Sequence, residues 1–317
     1  WCAARSCSAV PVTNAGAERP MGARATVARY RLATAVARLL PRPARRAVAV
    51  GAGALAPVLL SREKRDLLLR HQRRLDPSVT EPVLRARVRG MVVSYTRYWI
   101  DTLRLPFLSG EAAVGAVTVE GYEHVEAALD AGRGAILALP HLGGWEWAGR
   151  WLASRGVEVV SVVERLEPPE LLDWFGDLRA SLGITVHPAG PEVVAELRAV
   201  LDRNGVVCLL SDRDVTGGGY EVEFCGERTR LPAGPAVLAL RSGARVLPTA
   251  VYQRAGERHL GVVRAPIDCG RRDGFRRDTG RIMDDLSEAL AGLVREAPEQ
   301  WHLFQPNWPS DPGWSSC

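Results

Sequence analysis

Lysine is almost absent from this sequence. Lys64 is the only lysine in 317 residues, so the formal net charge of +5 and the pI near 9.1 come from arginine. A basic surface suits an anionic partner such as a phosphate group, a membrane surface or a nucleic acid. The sequence lacks an RNA-recognition motif, a zinc finger and any alternation of basic and aromatic residues, so a nucleic acid is not expected as a partner.

Paired cysteines are absent as well. The six cysteines are scattered, and no two of them form a CxxC pair. We therefore expect reduced thiols in a cytoplasmic protein, with neither a disulfide framework nor a metal site. The cysteines are Cys2, Cys7, Cys208, Cys225, Cys269 and Cys317.

The sequence also lacks a long apolar run. No stretch reaches the roughly 18 apolar residues of a membrane-spanning helix, and the nearest, residues 47–60, is interrupted by Pro57 and by glycine. Residues 26–40 place apolar side chains at helical spacing with arginines between them. Such a basic amphipathic helix suits the cytoplasmic face of a membrane, or a helix packed on the core with its arginines in water. The sequence leaves both interpretations open.

Three regions are predicted along the chain. Residues 1–25 are expected to be a leader or a disordered segment, although their short, broken apolar run does not match a signal peptide. Residues 26–105 have helical periodicity and are predicted to form an amphipathic, membrane-associating N-terminal segment. Residues 106–317 alternate strands with helices and are predicted to form an α/β core. The alternation predicts an α/β fold in which a mostly parallel central sheet is flanked by helices.

A histidine follows one apolar strand of this region. Residues 135–139 read AILAL, and His141, Gly143, Gly144 and Glu146 come after them. Ligand sites of open α/β sheets lie at the carboxyl ends of strands, and histidine is suited to take a proton from a hydroxyl near neutral pH. The glycines are expected to let a substrate approach the ring and nearby backbone N–H groups. We predict that His141 and Glu146 are catalytic, although a helix beginning at the glycines can turn Glu146 away from the ring.

A second acidic group follows another apolar strand. In VVCLLSDRD, Asp212 and Asp214 come after VVCLL and before a glycine-rich loop. If this strand lies beside that of His141, Asp212 reaches the same sheet edge and can partner the histidine. Glu221 and Glu223 share one face of a later predicted strand and are the alternatives, with Glu223 ranked directly after Asp212.

Two more charged residues are candidates for binding a substrate. Glu164 follows the predicted strand VEVVSVV, and Arg179 lies on the next helix, where a guanidinium can bind a phosphate or a sugar hydroxyl. An ordinary surface ion pair is the alternative for both. Together with Asp214 and Glu223, they make up the predicted substrate-binding set.

These residues, in this order, resemble a known family. His141 and Glu146 match the H-x4-D/E motif of glycerolipid acyltransferases. The surrounding blocks are similar to the branch that contains the bacterial lipid A late acyltransferases, and within it to the actinobacterial phosphatidylinositol mannoside acyltransferases. The motif alone is short, but the ordered set of blocks is specific and extends over residues 26–311. The blocks read VVERLEPPELLDWF, SDRD, VEFCGERTRLPAGPAVLALRSGARVLP and WHLFQPNWPSD.

The resemblance implies a peripheral O-acyltransferase at the cytoplasmic face of the cell membrane. It moves a fatty acyl chain from acyl-CoA, or from an acyl carrier protein, to a sugar hydroxyl of a membrane glycolipid, which in phosphatidylinositol mannosides is on a mannose. His141 is then the general base, Glu146 completes the motif, and Glu164 and Arg179 contact the acceptor head group. Acyl-CoA is a co-substrate, and no metal or other cofactor is expected.

Three other functions are alternatives to this one. An α/β-hydrolase needs a G-x-S-x-G nucleophile elbow, which the sequence does not contain. An acyltransferase for a different glycolipid and a non-catalytic membrane-bound homologue are the remaining alternatives.

Overall fold

The computed structural model describes residues 23–190, 192–215 and 217–314. Residues 1–22, which make up most of the predicted leader, lie outside the described residues, as do Cys2, Cys7 and Cys317. The α-helices of the described part are α1 (Ala23–Leu39), α2 (Arg42–Ala54), α3 (Ala56–Leu59), α4 (Arg62–Leu75), α5 (Glu81–Arg104), α6 (Gly110–Gly115), α7 (Tyr122–Asp130), α8 (Trp145–Ala153), α9 (Pro169–Ala180), α10 (Val193–Asp202), α11 (Gly234–Ser242) and α12 (Phe275–Glu296). The strands are β1 (Val117–Glu120), β2 (Ala135–Leu139), β3 (Val159–Val163), β4 (Ile184–Pro188), β5 (Val206–Leu210), β6 (Tyr220–Phe224), β7 (Glu227–Leu231), β8 (Arg245–Gln253) and β9 (His259–Val263).

Prolines and polar caps delimit several of these helices. Pro41 separates α1 from α2, because proline lacks the N–H that would continue the helix. Helix α4 begins after Ser61, whose Oγ accepts a hydrogen bond of 3.2 Å from the backbone N–H of Lys64. Helix α9 begins with Pro169, where the missing N–H costs nothing. Helices α1, α4 and α5 lie in the segments with apolar helical periodicity, residues 26–40 and 61–105.

The main sheet has the strand order β1-β9-β8-β2-β5-β3-β4. Neighbouring strands run parallel throughout, except that β8 and β9 are antiparallel. Successive side chains of β2 point to opposite faces, so Ile136 and Ala138 pack in the core under α10, α11 and α12. Leu137 and Leu139 pack in the core under α7, α8 and α9. The predicted fold class, a mostly parallel sheet flanked by helices, is confirmed.

The register of β2 and β5 sets the position of the site. The two strands are parallel neighbours, and Leu139 of β2 pairs with Leu210 of β5. His141 and Asp212 each follow two positions after these last strand residues. Their backbones therefore leave the sheet at the same edge and at the same height.

One predicted strand does not join the main sheet. Strand β6 pairs with β7 as a separate antiparallel hairpin. The connection is the two-residue turn Cys225–Gly226, in which both residues have positive φ, 53° and 82°. This is the geometry that matches the twist of a tight hairpin. Strand β7 was not among the predicted strands, because its sequence, ERTRL, has few apolar residues and gives only a weak alternating pattern.

The first three helices carry large apolar side chains that face solvent. Leu39 is 82% exposed and Val58 is 83% exposed, which is far more than a helix packed on the core requires. Arg29, Arg31, Arg38, Arg42 and Arg46 of α1 and α2 are exposed as well, whereas Arg45 is buried, so this surface is both apolar and basic. No helix in the described ranges is long and apolar enough to cross a membrane. The division of the chain into domains stays a prediction.

Candidate active site

His141 and Asp212 are in direct contact at the sheet edge. His141 Nδ1 lies 2.6 Å from Asp212 Oδ1, and the backbone N–H of His141 donates to Asp212 Oδ2 at 3.0 Å. A carboxylate only accepts hydrogen bonds, so the proton of the neutral imidazole is on Nδ1 and the lone pair is on Nε2. The His141 side chain is 33% exposed, whereas that of Asp212 is fully buried. The pair therefore has an accessible basic nitrogen supported by an inaccessible carboxylate.

Asp212 is held as an anion by its hydrogen-bond donors. Burial alone would raise the pKa of the Asp212 carboxyl, but the attraction of His141 and hydrogen bonds from His141 and Trp301 outweigh it. The pKa therefore lies below the ordinary value. Trp301 contributes its indole N–H at 2.7 Å from Oδ2. Asn307 Nδ2 donates to the backbone carbonyl of Asp212 at 3.0 Å, which fixes the turn that carries the side chain.

The segment that supplies Trp301 and Asn307 is fixed to α4. Asp311, which follows them, accepts from His71 Nε2 at 2.9 Å and pairs with Arg74 Nη2 at 2.8 Å. Burial opposes ionisation of Asp311, but these contacts and backbone N–H donors lower its pKa to about 2. The ion cluster therefore holds the C-terminal segment over the Asp212 side of the site.

The two glycines after His141 serve the packing of the turn, and their own N–H groups are bonded to backbone carbonyls; that they let a substrate approach the ring stays a prediction. The N–H of Gly143 donates to Gln300 O at 3.1 Å, and that of Gly144 donates to Val251 O at 3.2 Å. Gly143 has a φ of +63°, and a Cβ at this position would lie 1.7 Å from Val251 O. The turn is thus held between β8 and the C-terminal segment, which leaves no room for a side chain.

Glu146 points away from the His141 ring, into the protein. It is fully buried in the first turn of α8, and its Oε1 accepts from Tyr98 Oη at 2.8 Å and from Arg179 Nη2 at 3.2 Å. Burial and the adjacent charge of Glu146 raise the pKa of Tyr98 well above its ordinary value, so the phenol remains a donor. Glu146 therefore orients Tyr98 and Arg179, whereas the contact with His141 belongs to Asp212.

A pocket of about 600 Å³ opens beside His141. One part of its wall is aliphatic and comes mainly from α10 and α11; these residues are Val193, Val194, Leu197, Val237 and Leu238. Another part is aromatic and basic and comes from α5 and α9; these residues are Tyr95, Tyr98, Trp99, Phe175 and Arg179. The volume and the mixed wall are typical of a pocket for an amphipathic organic ligand.

The predicted substrate-binding residues separate into two groups. Glu164, Arg179 and Asp214 line the pocket. Glu164 also pairs with Arg213 at 3.2 Å, and Asp214 Oδ2 accepts from the backbone N–H of Gly219 at 2.7 Å. Glu223 is exposed on the outward face of β6 and is not part of the pocket lining, because β6 belongs to the separate hairpin. The structure therefore does not bring Glu223 to His141 or to the pocket.

Comparison with known proteins adds a family to this geometry. Residues 23–310 match the family described as bacterial lipid A biosynthesis acyltransferase. The chain is 38% identical over 242 residues to a phosphatidylinositol mannoside acyltransferase of Mycobacterium tuberculosis, covering 74% of this chain and 72% of the relative. It is 36% identical over 230 residues to the enzyme of the same name from Mycolicibacterium smegmatis, covering 71% and 73%.

The chain belongs to the bacterial lipid A biosynthesis acyltransferase family. The resemblance inferred from the H-x4-E motif and the ordered blocks is thereby confirmed. The match extends from the start of α1 to residue 310 and therefore includes every helix and strand named above.

Several residues of this acyltransferase site were not predicted from the sequence. Trp301, Asn307 and Tyr98 bind Asp212 or Glu146, and His302 lies in the pocket wall, with Nε2 at 2.9 Å from Ser94 Oγ. Burial and the nearby His141 lower the pKa of His302 to about 3, so this ring is neutral at physiological pH. For Trp301, His302 and Asn307, the signal in the sequence is the clustering of polar and aromatic residues in the block WHLFQPNW, which has no regular periodicity; Tyr98 lies apart from this block, on α5.

Proposed function

We propose that this acyltransferase moves a fatty acyl chain from acyl-CoA to a mannose hydroxyl of phosphatidylinositol mannoside at the cytoplasmic face of the membrane. The observation that carries the proposal is the His141–Asp212 pair, in which His141 lines a pocket with an aliphatic wall. The choice of acceptor is supported by the names of the mycobacterial relatives.

In the proposed mechanism, His141 is the general base and Asp212 positions it. Nε2 takes the proton of the acceptor hydroxyl as its oxygen attacks the thioester carbonyl carbon, and the buried carboxylate stabilises the resulting imidazolium. The carbon–oxygen bond forms and an oxyanion develops on the carbonyl oxygen. When the carbon–sulfur bond breaks, the CoA thiolate takes the proton from Nε2, which leaves an ester, CoA and neutral His141. The thioester supplies the activation, so the step requires no acyl-enzyme intermediate.

Each part of the pocket has a role in this proposal. The aliphatic wall of α10 and α11 takes the acyl chain, because it removes apolar surface from water. Arg179 presents a guanidinium to the acceptor head group, and Glu146 restrains it together with Tyr98. Glu164 and Asp214 offer carboxylate oxygens for sugar hydroxyls.

We expect release of CoA from palmitoyl-CoA to depend on a mannosylated acceptor. Purified protein is incubated with palmitoyl-CoA and detergent-dispersed phosphatidylinositol mannoside, CoA release is measured, and the acylated product is identified by mass spectrometry. Phosphatidylinositol without mannose is the matched control and should give no acceptor-dependent release. Activity with a glucosamine-based lipid instead would favour a different glycolipid, and the absence of turnover with any acceptor or with acyl carrier protein as donor would favour a non-catalytic homologue.

The membrane association in this proposal is supported by the exposed apolar face of α1, α2 and α3. Its large exposed apolar residues are Leu32, Val36, Leu39, Val48, Val50, Leu55, Val58 and Leu59. Apolar side chains interspersed with arginine favour the interface of an anionic bilayer.

We expect the protein to float with lipid vesicles in a density gradient. The double variant Val58→Asp, Leu59→Asp places charge on the apolar face and should leave most of the protein at the bottom. Val83→Asp, at an exposed valine of α5, is the control and should still float. Equal flotation of the two variants would contradict membrane binding through α1, α2 and α3.

A further inference from the structure

A second cavity, of about 880 Å³, lies on the other side of α5 from the catalytic pocket. Val93, Arg97 and Ile100 of α5 line it, at spacings of four and three residues that place them on one helix face. Tyr95 and Tyr98, which line the catalytic pocket, lie on the opposite face. The body of the helix, about 10 Å across with its side chains, therefore separates an occupant of this cavity from His141.

The wall of the second cavity combines arginine with apolar surface. Helix α2 contributes Arg42, Arg45 and Arg46 beside Ala47 and Val50. Val93 and Ile100 of α5 extend the apolar part of the wall. A cavity with a basic rim and an apolar wall fits a ligand that has an anionic group joined to a hydrocarbon chain.

The carboxylates of the cavity neutralise only part of its arginine charge. Glu257 of the β8–β9 connection accepts from Arg45 Nε at 2.8 Å and from Arg42 Nε at 3.2 Å. Asp101 accepts from Arg97 Nε at 3.2 Å. Arg46 adds a further exposed cation. Among the described lining residues, arginines outnumber carboxylates, and the side chain of Arg42 is 78% exposed and can turn toward a ligand.

The position of the cavity favours a lipid over a soluble anion. Val50, which lines it, is 52% exposed and belongs to the apolar face of α1, α2 and α3. A lipid can therefore enter from a bilayer that contacts this face while its chains remain in an apolar environment. The volume is in the range of roughly 300–1,000 Å³ that ligand pockets occupy, enough for a head group and the upper part of a chain.

We propose that the cavity between α2, α5 and the β8–β9 connection binds one anionic phospholipid. The phosphate lies against Arg42 and Arg46, and the upper acyl chain lies along Val50, Val93 and Ile100. This site is separate from the donor and acceptor sites of acyl transfer, and it selects a membrane by the charge of its lipids. Its existence does not depend on the identity of the acyl acceptor.

The test uses a lipid that is soluble as a monomer. Dihexanoyl phosphatidylglycerol, kept below its critical micelle concentration, is titrated into the full chain and the heat of binding is measured. We expect saturable binding of one molecule, with dihexanoyl phosphatidylcholine and inorganic phosphate binding much more weakly. Equal binding of the two lipids, or equal binding of phosphate alone, would overturn the proposal.

Two pairs of variants locate the binding. Ala47→Trp fills the cavity from an exposed position of α2 without changing charge, and Ala33→Trp makes the same change on the exposed surface of α1. We expect the first to abolish phosphatidylglycerol binding and the second to preserve it. Identical behaviour of the two tryptophan variants would mean that the lipid binds elsewhere, the catalytic pocket included, and the proposal would fail.

The charge pair gives an independent measurement. Arg42→Ala, Arg46→Ala should weaken binding about 25-fold, since each basic side chain near an anionic lipid contributes about fivefold. Arg29→Ala, Arg31→Ala removes the same charge from the exposed surface of α1 and should have little effect on the monomeric lipid. Equal losses in the two double variants would indicate general electrostatic attraction and contradict a discrete site.

Discussion

Replacing His141 by glutamine should reduce acyl transfer by about 10²–10⁴-fold, the usual contribution of a general base. Glutamine can still hydrogen-bond to Asp212, but it has no basic nitrogen at the position of Nε2. The His141 side chain is partly exposed, so the variant is expected to fold. The measurement is acceptor-dependent CoA release at saturating palmitoyl-CoA, with circular dichroism as the check on folding.

A second histidine provides the control for this variant. His124→Gln changes a residue of α7 that is not part of the pocket lining, and its activity should equal that of the unmodified protein. Activity of His141→Gln within a few-fold of the control would mean that another group takes the proton, and the proposed mechanism would have to be abandoned.

The position of His141 is predictable from the sequence for a local reason. A buried strand, a chain reversal and a helix start are all encoded within residues 135–149. The register that brings Asp212 to His141 cannot be predicted from local sequence. His141 and Asp212 are 71 positions apart in the sequence, and the pairing of their strands depends on how the whole sheet is assembled. The sequence supports only the conditional statement that the two residues meet if their strands are neighbours.

The glycines show that a motif can have a physical cause that the local sequence does not reveal. A pair of glycines beside a catalytic residue suggests space for a ligand. Gly143 instead has a positive φ and a backbone contact with Val251, which comes from a strand more than a hundred residues away. The local sequence encodes the need for glycine, but only the packing against β8 identifies the neighbour that imposes it.

The C-terminal contribution to the site could not have been predicted from periodicity. Trp301 and Asn307 lie in a segment without regular strand or helix, so neither their facing nor their contacts follow from spacing. Their position depends on the ion cluster of Asp311 with α4, in which His71 and Asp311 are 240 positions apart in the sequence. Family resemblance detects this block as a sequence, whereas its function of holding Asp212 follows from the hydrogen bonds.

Asp212→Asn should reduce kcat by about 10²–10⁴-fold, because an asparagine cannot reproduce the acceptor pattern of the carboxylate. Asp212 accepts from His141 Nδ1, from the His141 backbone N–H and from Trp301 Nε1. An asparagine has one acceptor oxygen and one NH₂ group. If the NH₂ group takes the place of Oδ2, it faces the N–H groups of the His141 backbone and of Trp301. If it takes the place of Oδ1, it donates to His141 Nδ1 and reverses the imidazole tautomer. In the second case the proton moves to Nε2 and the base is lost. The pKa of Asp212 is lowered, so the unmodified carboxylate is ionised throughout the neutral range, and the defect should not be rescued by raising the pH to 8.

Glu146→Gln is the matched amide substitution at the other acidic position of the site. Its oxygen can still accept from Tyr98, and its effect should be weaker and expressed mainly in KM for the acceptor, through a less firmly held Arg179. Both variants are assayed for kcat and KM with phosphatidylinositol mannoside, and thermal unfolding shows whether each remains folded. A larger loss of kcat for Glu146→Gln than for Asp212→Asn would reverse the assignment and make the motif glutamate the partner of His141. We expect the larger loss of kcat for Asp212→Asn. Glu146, in the first turn of α8, contacts Tyr98 and Arg179 of the pocket wall. The carboxylate that contacts the imidazole is Asp212, which follows β5, the strand beside β2.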